Sequence, residues 1–229
     1  MKLKVISTGS SGNCYILEAE NGDKLIIDLG IPYKEILRGL DFDLSSVKGA
    51  LVSHVHKDHA LALKDFEKSG IGVFAPYLPR QKMFGSLRFG SFMITKFPLP
   101  HNGTDNYGFI IQADDKTILY LTDFEYCPYT FKSYKPDYII VECNYQKEYV
   151  SRDLANYEHK IAGHCELQTT KDFIVANKTE NLKNVVIVHT ALGTCNRDEI
   201  KADIQALSNC IVDVAQANME INLMADVPF

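Results

Sequence analysis

Four side chains able to hold a divalent cation, His54, His56, Asp58 and His59, fall within six positions of the stretch LVSHVHKDHALAL, just after an apolar run. Two imidazoles two residues apart in extended chain project to one side. Asp58 and His59, opening the helical pattern that follows, face a second point close by. Neutral imidazole and carboxylate are the donors a borderline divalent cation prefers, so the stretch offers two neighbouring metal sites. A helix N-cap would account for Asp58 alone, and a hydrogen-bonded core position for any single histidine. Neither accounts for four such residues at this spacing.

A second stretch, STGSSGNCYILEA, sets a glycine-serine loop between two apolar runs. Gly9 and Gly12 permit a sharp turn. Backbone amides, or the side chains of Ser10, Ser11 and Asn13, are then expected to face a cleft and meet an anion such as a substrate phosphate. It is not a nucleotide-binding P-loop, because no GK[ST] follows and the next segment, Cys14 to Leu17, reads as a strand. Taken by itself the stretch reads equally well as a plain hairpin turn.

These groups need a scaffold. Apolar, β-branched runs predict strands at Leu3–Ile6, Cys14–Leu17, Lys24–Asp28, Ala50–Ser53, Gly72–Ala75 and Phe92–Phe97. Further strands are predicted at Tyr107–Gln112, Thr117–Thr122, Tyr138–Glu142, Val185–His189 and Ile211–Val214. Spacings of three and four predict helices at Tyr33–Leu40, Ala60–Lys68, Leu167–Asn177 and Arg197–Leu207, with a weaker helical patch near Lys147–Ala155. Many short strands with helices on either side suit two packed sheets with helices outside.

At 229 residues one domain is the simplest expectation. A net charge of −5 gives no basic footprint for a polyanion, so an anionic substrate must be drawn locally. MKLKVIS turns polar at once and no apolar run approaches the ~20 residues of a spanning helix, so a cytoplasmic protein without membrane contact is expected. The six cysteines form no CxxC and are too thinly spread for a disulfide framework; reduced thiols are the default.

With its HxHxDH intact as His54, His56, Asp58 and His59, the sequence resembles the metallo-β-lactamase-fold hydrolases. The resemblance runs through KLIIDLG, FPLPHNGTDNYGFII, ILYLTDFEY and NVVIVHTAL, from residue 3 to about residue 217. It implies an α/β protein, a four-layer αββα sandwich of two mixed β-sheets with helices on both outer faces. It also implies that His54, His56 and His101 hold one ion, that Asp58, His59 and His189 hold the other, and that Asp123 bridges them. Asp28 would orient the metal-binding loop as a carboxylate behind the ligands. Two divalent ions are implied, with zinc favoured by the histidine-rich first site and manganese or iron also accommodated. Such a pair shares a hydroxide near neutral pH.

The opening STGSSGNCYILE, TDFEY and IIVECNYQ also resemble the YycJ-like (WalJ-like) branch, which lies near the ribonuclease Z-type phosphodiesterases. In those proteins a histidine of a GH pair faces the scissile phosphate, and His164 of HKIAGHCELQTT looks like that residue. It would then act with Asp58 in catalysis, donating a proton to the leaving oxygen. Asn144 would meet substrate. Two departures bear on substrate contacts: Tyr145 stands where a histidine is common, and HTALGTCNRDE replaces a serine and paired asparagines, leaving Asn196. The spacing of Asp123 and His189 leaves no room for the long extra domain of nucleic-acid processors or the tRNA-gripping arm. The resemblance therefore implies a compact phosphodiesterase or DNA exonuclease acting on nucleic acid or another phosphodiester. The alternatives are a small-molecule hydrolase of a thioester, lactone or cyclic phosphodiester, and a metal-binding interaction protein without catalysis.

Overall fold

The computed structural model describes residues 1–151, 153, 161–191 and 193–223, and its strands form two mixed sheets. In the first sheet an antiparallel meander of β1 (Lys2–Ser7), β2 (Cys14–Glu18) and β3 (Lys24–Ile27) is extended in parallel by β4 (Val47–Leu51) and β5 (Val73–Phe74). In the second, β6 (Ser86–Phe89), β7 (Phe92–Leu99), β8 (Asn106–Ala113) and β9 (Lys116–Leu121) form an antiparallel meander. It continues in parallel through β10 (Tyr138–Glu142), β11 (Asn184–Val188) and β12 (Ile211–Val214). A last strand, β13 (Met219–Asn222), returns to the first sheet and pairs with β1.

Parallel neighbours need crossovers, and helices supply most of them. Helix α1 (Tyr33–Gly39) links β3 to β4, and α2 (Lys57–Ala60) with α3 (Leu63–Ser69) links β4 to β5. Helix α4 (Leu167–Asn177) links β10 to β11, and α5 (Arg197–Ser208) links β11 to β12. Alternation along the strands then sorts the apolar side chains into three layers. Leu25, Ile27, Ile118, Tyr120 and Ile140 pack between the sheets. Ile16, Ile26 and Ala50 meet Ile36 and Phe66 of α1 and α3 on one outer face. Leu119, Ile139 and Val185 meet Ile174 and Ile200 of α4 and α5 on the other. Three apolar interfaces make four layers, the αββα sandwich implied by the sequence. Because both faces of the central strands are covered, they read as unbroken apolar runs.

Two strands were not legible. β6 is an edge strand with half its positions exposed, and its Phe89 ring lies where Gly49 and Gly72 leave space, so a Cβ at either glycine would strike it. β13 is likewise a short edge strand. The single helix expected over Ala60–Lys68 is two, divided where Ala62 N donates to Leu29 O at 2.9 Å instead of continuing the helix ladder. Of the helical patch near Lys147–Ala155, Lys147–Tyr149 forms one 3₁₀ turn, while residues 152, 154 and 155 lie outside the described residues. Among the described residues no helix is long and apolar enough to cross a membrane.

Candidate metal centre

The chemistry collects where strands of both sheets end. Asp28 follows β3, His54 and His56 follow β4, His101 follows β7, Asp123 follows β9 and His189 follows β11. Asp28, Asp123 and His189 all adopt left-handed backbone, with φ of 61°, 50° and 54°. Strain of this kind is held at functional sites where surrounding contacts over-determine it. His56 caps α2, and its extended φ/ψ of −61° and 147° turns the chain so that Asp58 and His59 enter the cavity from the helix's first turns.

Two donor sets result. One nitrogen each of His54, His56 and His101 lie within 4.8 Å of one another, as do donor atoms of Asp58, His59, Asp123 and His189. The hydrogen bonds behind them orient the rings. His54 Nδ1 donates to Ser53 Oγ at 3.0 Å, and Ser53 Oγ donates to Asp28 Oδ1 at 3.0 Å. His59 Nδ1 donates to Asp28 Oδ2 at 2.8 Å, and His101 Nδ1 donates to Gly163 O at 2.6 Å. Each bond engages one ring nitrogen and turns the other inward as a lone-pair donor. His54 Nε2 and His101 Nε2 each lie 3.1 Å from His56 Nδ1. Asp123 reaches both sets, with Oδ2 3.8 Å from His54 Nε2 and Oδ1 3.3 Å from His59 Nε2.

The donor chemistry fits divalent cations. His189 Nε2 is buried without a hydrogen-bond partner among the described residues and lies 3.7 Å from Asp58 Oδ2, an arrangement that a cation between them would satisfy. Electrostatics separate the sets. Burial, followed by the charge of neighbouring imidazoles, holds His54 well below its ordinary value, and burial also lowers His101. Burial opposes the charge on His59 and His189 too, but the carboxylate of Asp123, joined by Asp28 at His59 and Asp58 at His189, raises both well above the ordinary value. Asp58 and Asp123 move downward: burial resists ionisation, and the adjacent imidazoles outweigh it.

His164 stands beside the second set, with Nδ1 2.7 Å from Glu142 Oε1 and 3.9 Å from Asp123 Oδ2. Its side chain is 12% exposed, and Asp58, at 27%, is the more open carboxylate. Glu142 itself was not among the expected site residues. It is fully buried; Oε1 also accepts from His189 Nδ1 at 2.9 Å, and Oε2 accepts from Phe124 N at 3.1 Å and Cys165 N at 3.3 Å. Its signal was a carboxylate closing the apolar run YIIVE. Asp123, Glu142, His164 and His189 form a further group of mutually close donors.

The glycine-serine loop differs in part from expectation. Ser10 and Ser11 are exposed, whereas Asn13 is fully buried and turned inward. Asn13 Oδ1 accepts from Gly9 N at 2.9 Å, and Nδ2 lies 3.3 Å from Asp58 O and 3.0 Å from His59 Nε2. Buried under the loop, Asn13 braces the loop of Asp58 and His59. Asn144 is also buried, its amide donating to His189 O at 3.0 Å.

Residues 7–105 match the model of the metallo-beta-lactamase superfamily. The anti-Pycsar protein Apyc1 of Bacillus phage 010DV004 is 35% identical over 71 residues, 28% of this chain and 28% of that protein. The chain thus matches little more than a quarter of that relative's length. Among solved structures, the metallo-beta-lactamase fold protein YhfI from Bacillus subtilis superposes with a TM-score of 0.72 at 18% identity, covering 96% of this chain and 98% of that one. Human tRNase Z, short form, superposes with a TM-score of 0.62 at 16% identity, covering 98% of this chain and 100% of that one. At such identities the likeness is one of fold.

Proposed function

We propose that this chain, which has the metallo-β-lactamase fold and matches that superfamily's model over residues 7–105, is a metal-dependent phosphodiesterase acting on nucleic acid. The observation that carries this reading is the buried Glu142 hydrogen-bonded to His164 at 2.7 Å, next to two complete donor sets. His54, His56 and His101 would hold one ion, Asp58, His59 and His189 the other, with Asp123 between them. When bound, a pair of divalent cations, zinc first and manganese or iron as alternatives, would supply Lewis-acid activation of water and offset negative charge on the oxygens of the attacked phosphate.

The chain's own groups do the rest. Asp58, the partly open carboxylate, would anchor the attacking water beside the second ion. His164, with Nδ1 engaged by Glu142, directs Nε2 away from that bond and donates a proton to the leaving oxygen. Glu142 fixes the ring of His164 through that hydrogen bond. Exposed Ser10 and Ser11, beside the His189 loop that Thr8 contacts, would meet a substrate oxygen.

Bis-p-nitrophenyl phosphate and labelled DNA, each with added zinc or manganese, test the reading; absence of cleavage of both overturns it. A second reading, a small cyclic phosphodiester as substrate, is favoured by the net charge of −5, which offers a long polyanion little attraction. Turnover of the small ester with intact DNA would select it. Asp58→Ala separates both from a non-catalytic metal binder: it should abolish hydrolysis and reduce bound metal from two ions to one per chain. A folded variant that keeps two ions and its rate excludes the two-ion mechanism.

A further inference from the structure

Two tyrosines of the inter-sheet core reach the site from beneath, and both reach its second donor set. Tyr120 of β9 is fully buried and donates its phenol to Asp28 Oδ2 at 2.6 Å, the oxygen that also accepts from His59 Nδ1. Ser53 N and Oγ occupy the other oxygen at 2.9 and 3.0 Å, so four donors fix one buried carboxylate. Tyr15 of β2 packs edge-on to Tyr120, with ring centroids 5.9 Å apart. Its hydroxyl donates to Asn13 Oδ1 at 3.1 Å and lies 2.8 Å from Thr8 Oγ1, which accepts from His189 N at 2.9 Å. Proton order is consistent along this chain: His189 N–H to Thr8, Thr8 O–H to Tyr15, Tyr15 O–H to Asn13.

We propose that Tyr120 and Tyr15 are positioning residues that set the metal affinity of the second site, Tyr120 through Asp28 and His59, and Tyr15 through Thr8 and His189. The inference rests on the reading of the cluster as a two-metal centre. Tyr120 lies one residue beyond the ligands' own partners and shares an oxygen with a ligand-bearing bond, so removing its O–H leaves Asp28 Oδ2 free to swing and His59 to follow. His189 holds its φ of 54° with its amide tied to Thr8, so loosening Thr8 frees the backbone that aims Nε2. Of the first set, His101 is anchored by Gly163 O, outside this network, and His54 reaches Asp28 one bond further away, through Ser53 Oγ at the opposite oxygen. Burial, and then the charge of Asp28, hold both phenols well above their ordinary value, so they remain donors.

The experiment is a zinc titration against a chromophoric chelator, with no substrate present, in two backgrounds. His101→Ala weakens the first site and reports the second; His189→Ala weakens the second and reports the first. Tyr120→Phe should lower zinc affinity about tenfold in the His101→Ala background, the low end for loss of an outer-shell partner, and change it less than about twofold in the His189→Ala background. Tyr15→Phe should act in the same direction at the second site, and Thr8→Val should reproduce it. Thermal midpoints are read alongside. A general loosening of the core would weaken both backgrounds alike, which overturns the proposal, as does unchanged affinity in both. If neither background binds zinc, the two-metal reading itself fails and takes the inference with it.

Discussion

His164 Nδ1 lies 2.7 Å from Glu142 Oε1, so one ring nitrogen of this histidine is committed to a fully buried carboxylate. The proposed acid role falls to the opposite nitrogen. An alkoxide leaves a phosphodiester poorly and gains from a positioned acid, whose contribution is typically ~10² to 10⁴ in rate. A nitrophenolate leaves without one. His164→Ala should therefore slow DNA cleavage at least about a hundredfold, slow bis-p-nitrophenyl phosphate much less, and leave two ions per chain. Equal loss on both substrates with one ion missing would make His164 a ligand.

Glu142→Gln keeps the shape of that carboxylate and removes its charge. Burial opposes ionisation of Glu142, and His164 outweighs it, lowering the carboxyl below its ordinary value. The charged form is thus the one the site uses. Glutamine should reduce DNA cleavage by about tenfold or more, since His164 loses the charged partner that fixes its ring. Because Glu142 Oε1 also meets His189 Nδ1 at 2.9 Å, zinc affinity of the second site should fall as well. Unchanged DNA cleavage and zinc affinity would reduce Glu142 to a packing role.

Gly30 tests the join between loops. A Cβ built there would run into the carbonyl of Asp58, and Gly30 N donates to Asn13 O at 2.9 Å while Asn13 N donates to Asp58 O at 2.8 Å. Gly30→Ala must push the Asp58 loop outward. The expected result is a lower thermal midpoint with preferential loss of the second ion, measured by metal analysis after gel filtration. Retention of two ions with full activity would show that the loop gives way without cost.

This join also explains what could be read from the sequence. His54, His56, Asp58 and His59 were legible because local geometry alone puts them on two adjacent points. His101, Asp123 and His189 are each a lone residue at a strand end, and only resemblance to a family placed them in order. Glu142 stayed hidden because a glutamate after YIIVE reads as the polar end of a strand until His164 and His189 are seen to converge on it. Tyr120 reads as one more apolar position on β9. Nor does a small polar residue in a glycine turn announce which way it points: the close approach at Gly12 and Gly30 turns Asn13 inward, where its Oδ1 accepts from Gly9 N. Such information resides in contacts between loops far apart in sequence, which periodicity does not carry.

The metal-free protein should be most stable near neutral pH. His54 and His101 have folded-state values below the ordinary 6.5, so their contribution is present above 6.5 and is lost as pH falls through the folded values. Asp58 and Asp123, lowered from 3.8, extend the loss at stronger acid. His59 and His189 are raised above 6.5, so their contribution is full below 6.5 and disappears as pH climbs through the folded values. The two trends meet close to neutrality. Saturating zinc should abolish the alkaline decline, because the nitrogens then hold metal in place of protons, and zinc binding to metal-free protein should release protons. Thermal midpoints measured with chelator and with zinc across about pH 5 to 9, together with calorimetry in buffers of different ionisation enthalpy, provide the check. A chelated protein whose midpoint rises steadily with pH, or zinc binding without proton release, would mean that His59 and His189 are not held charged by Asp123 and Asp28.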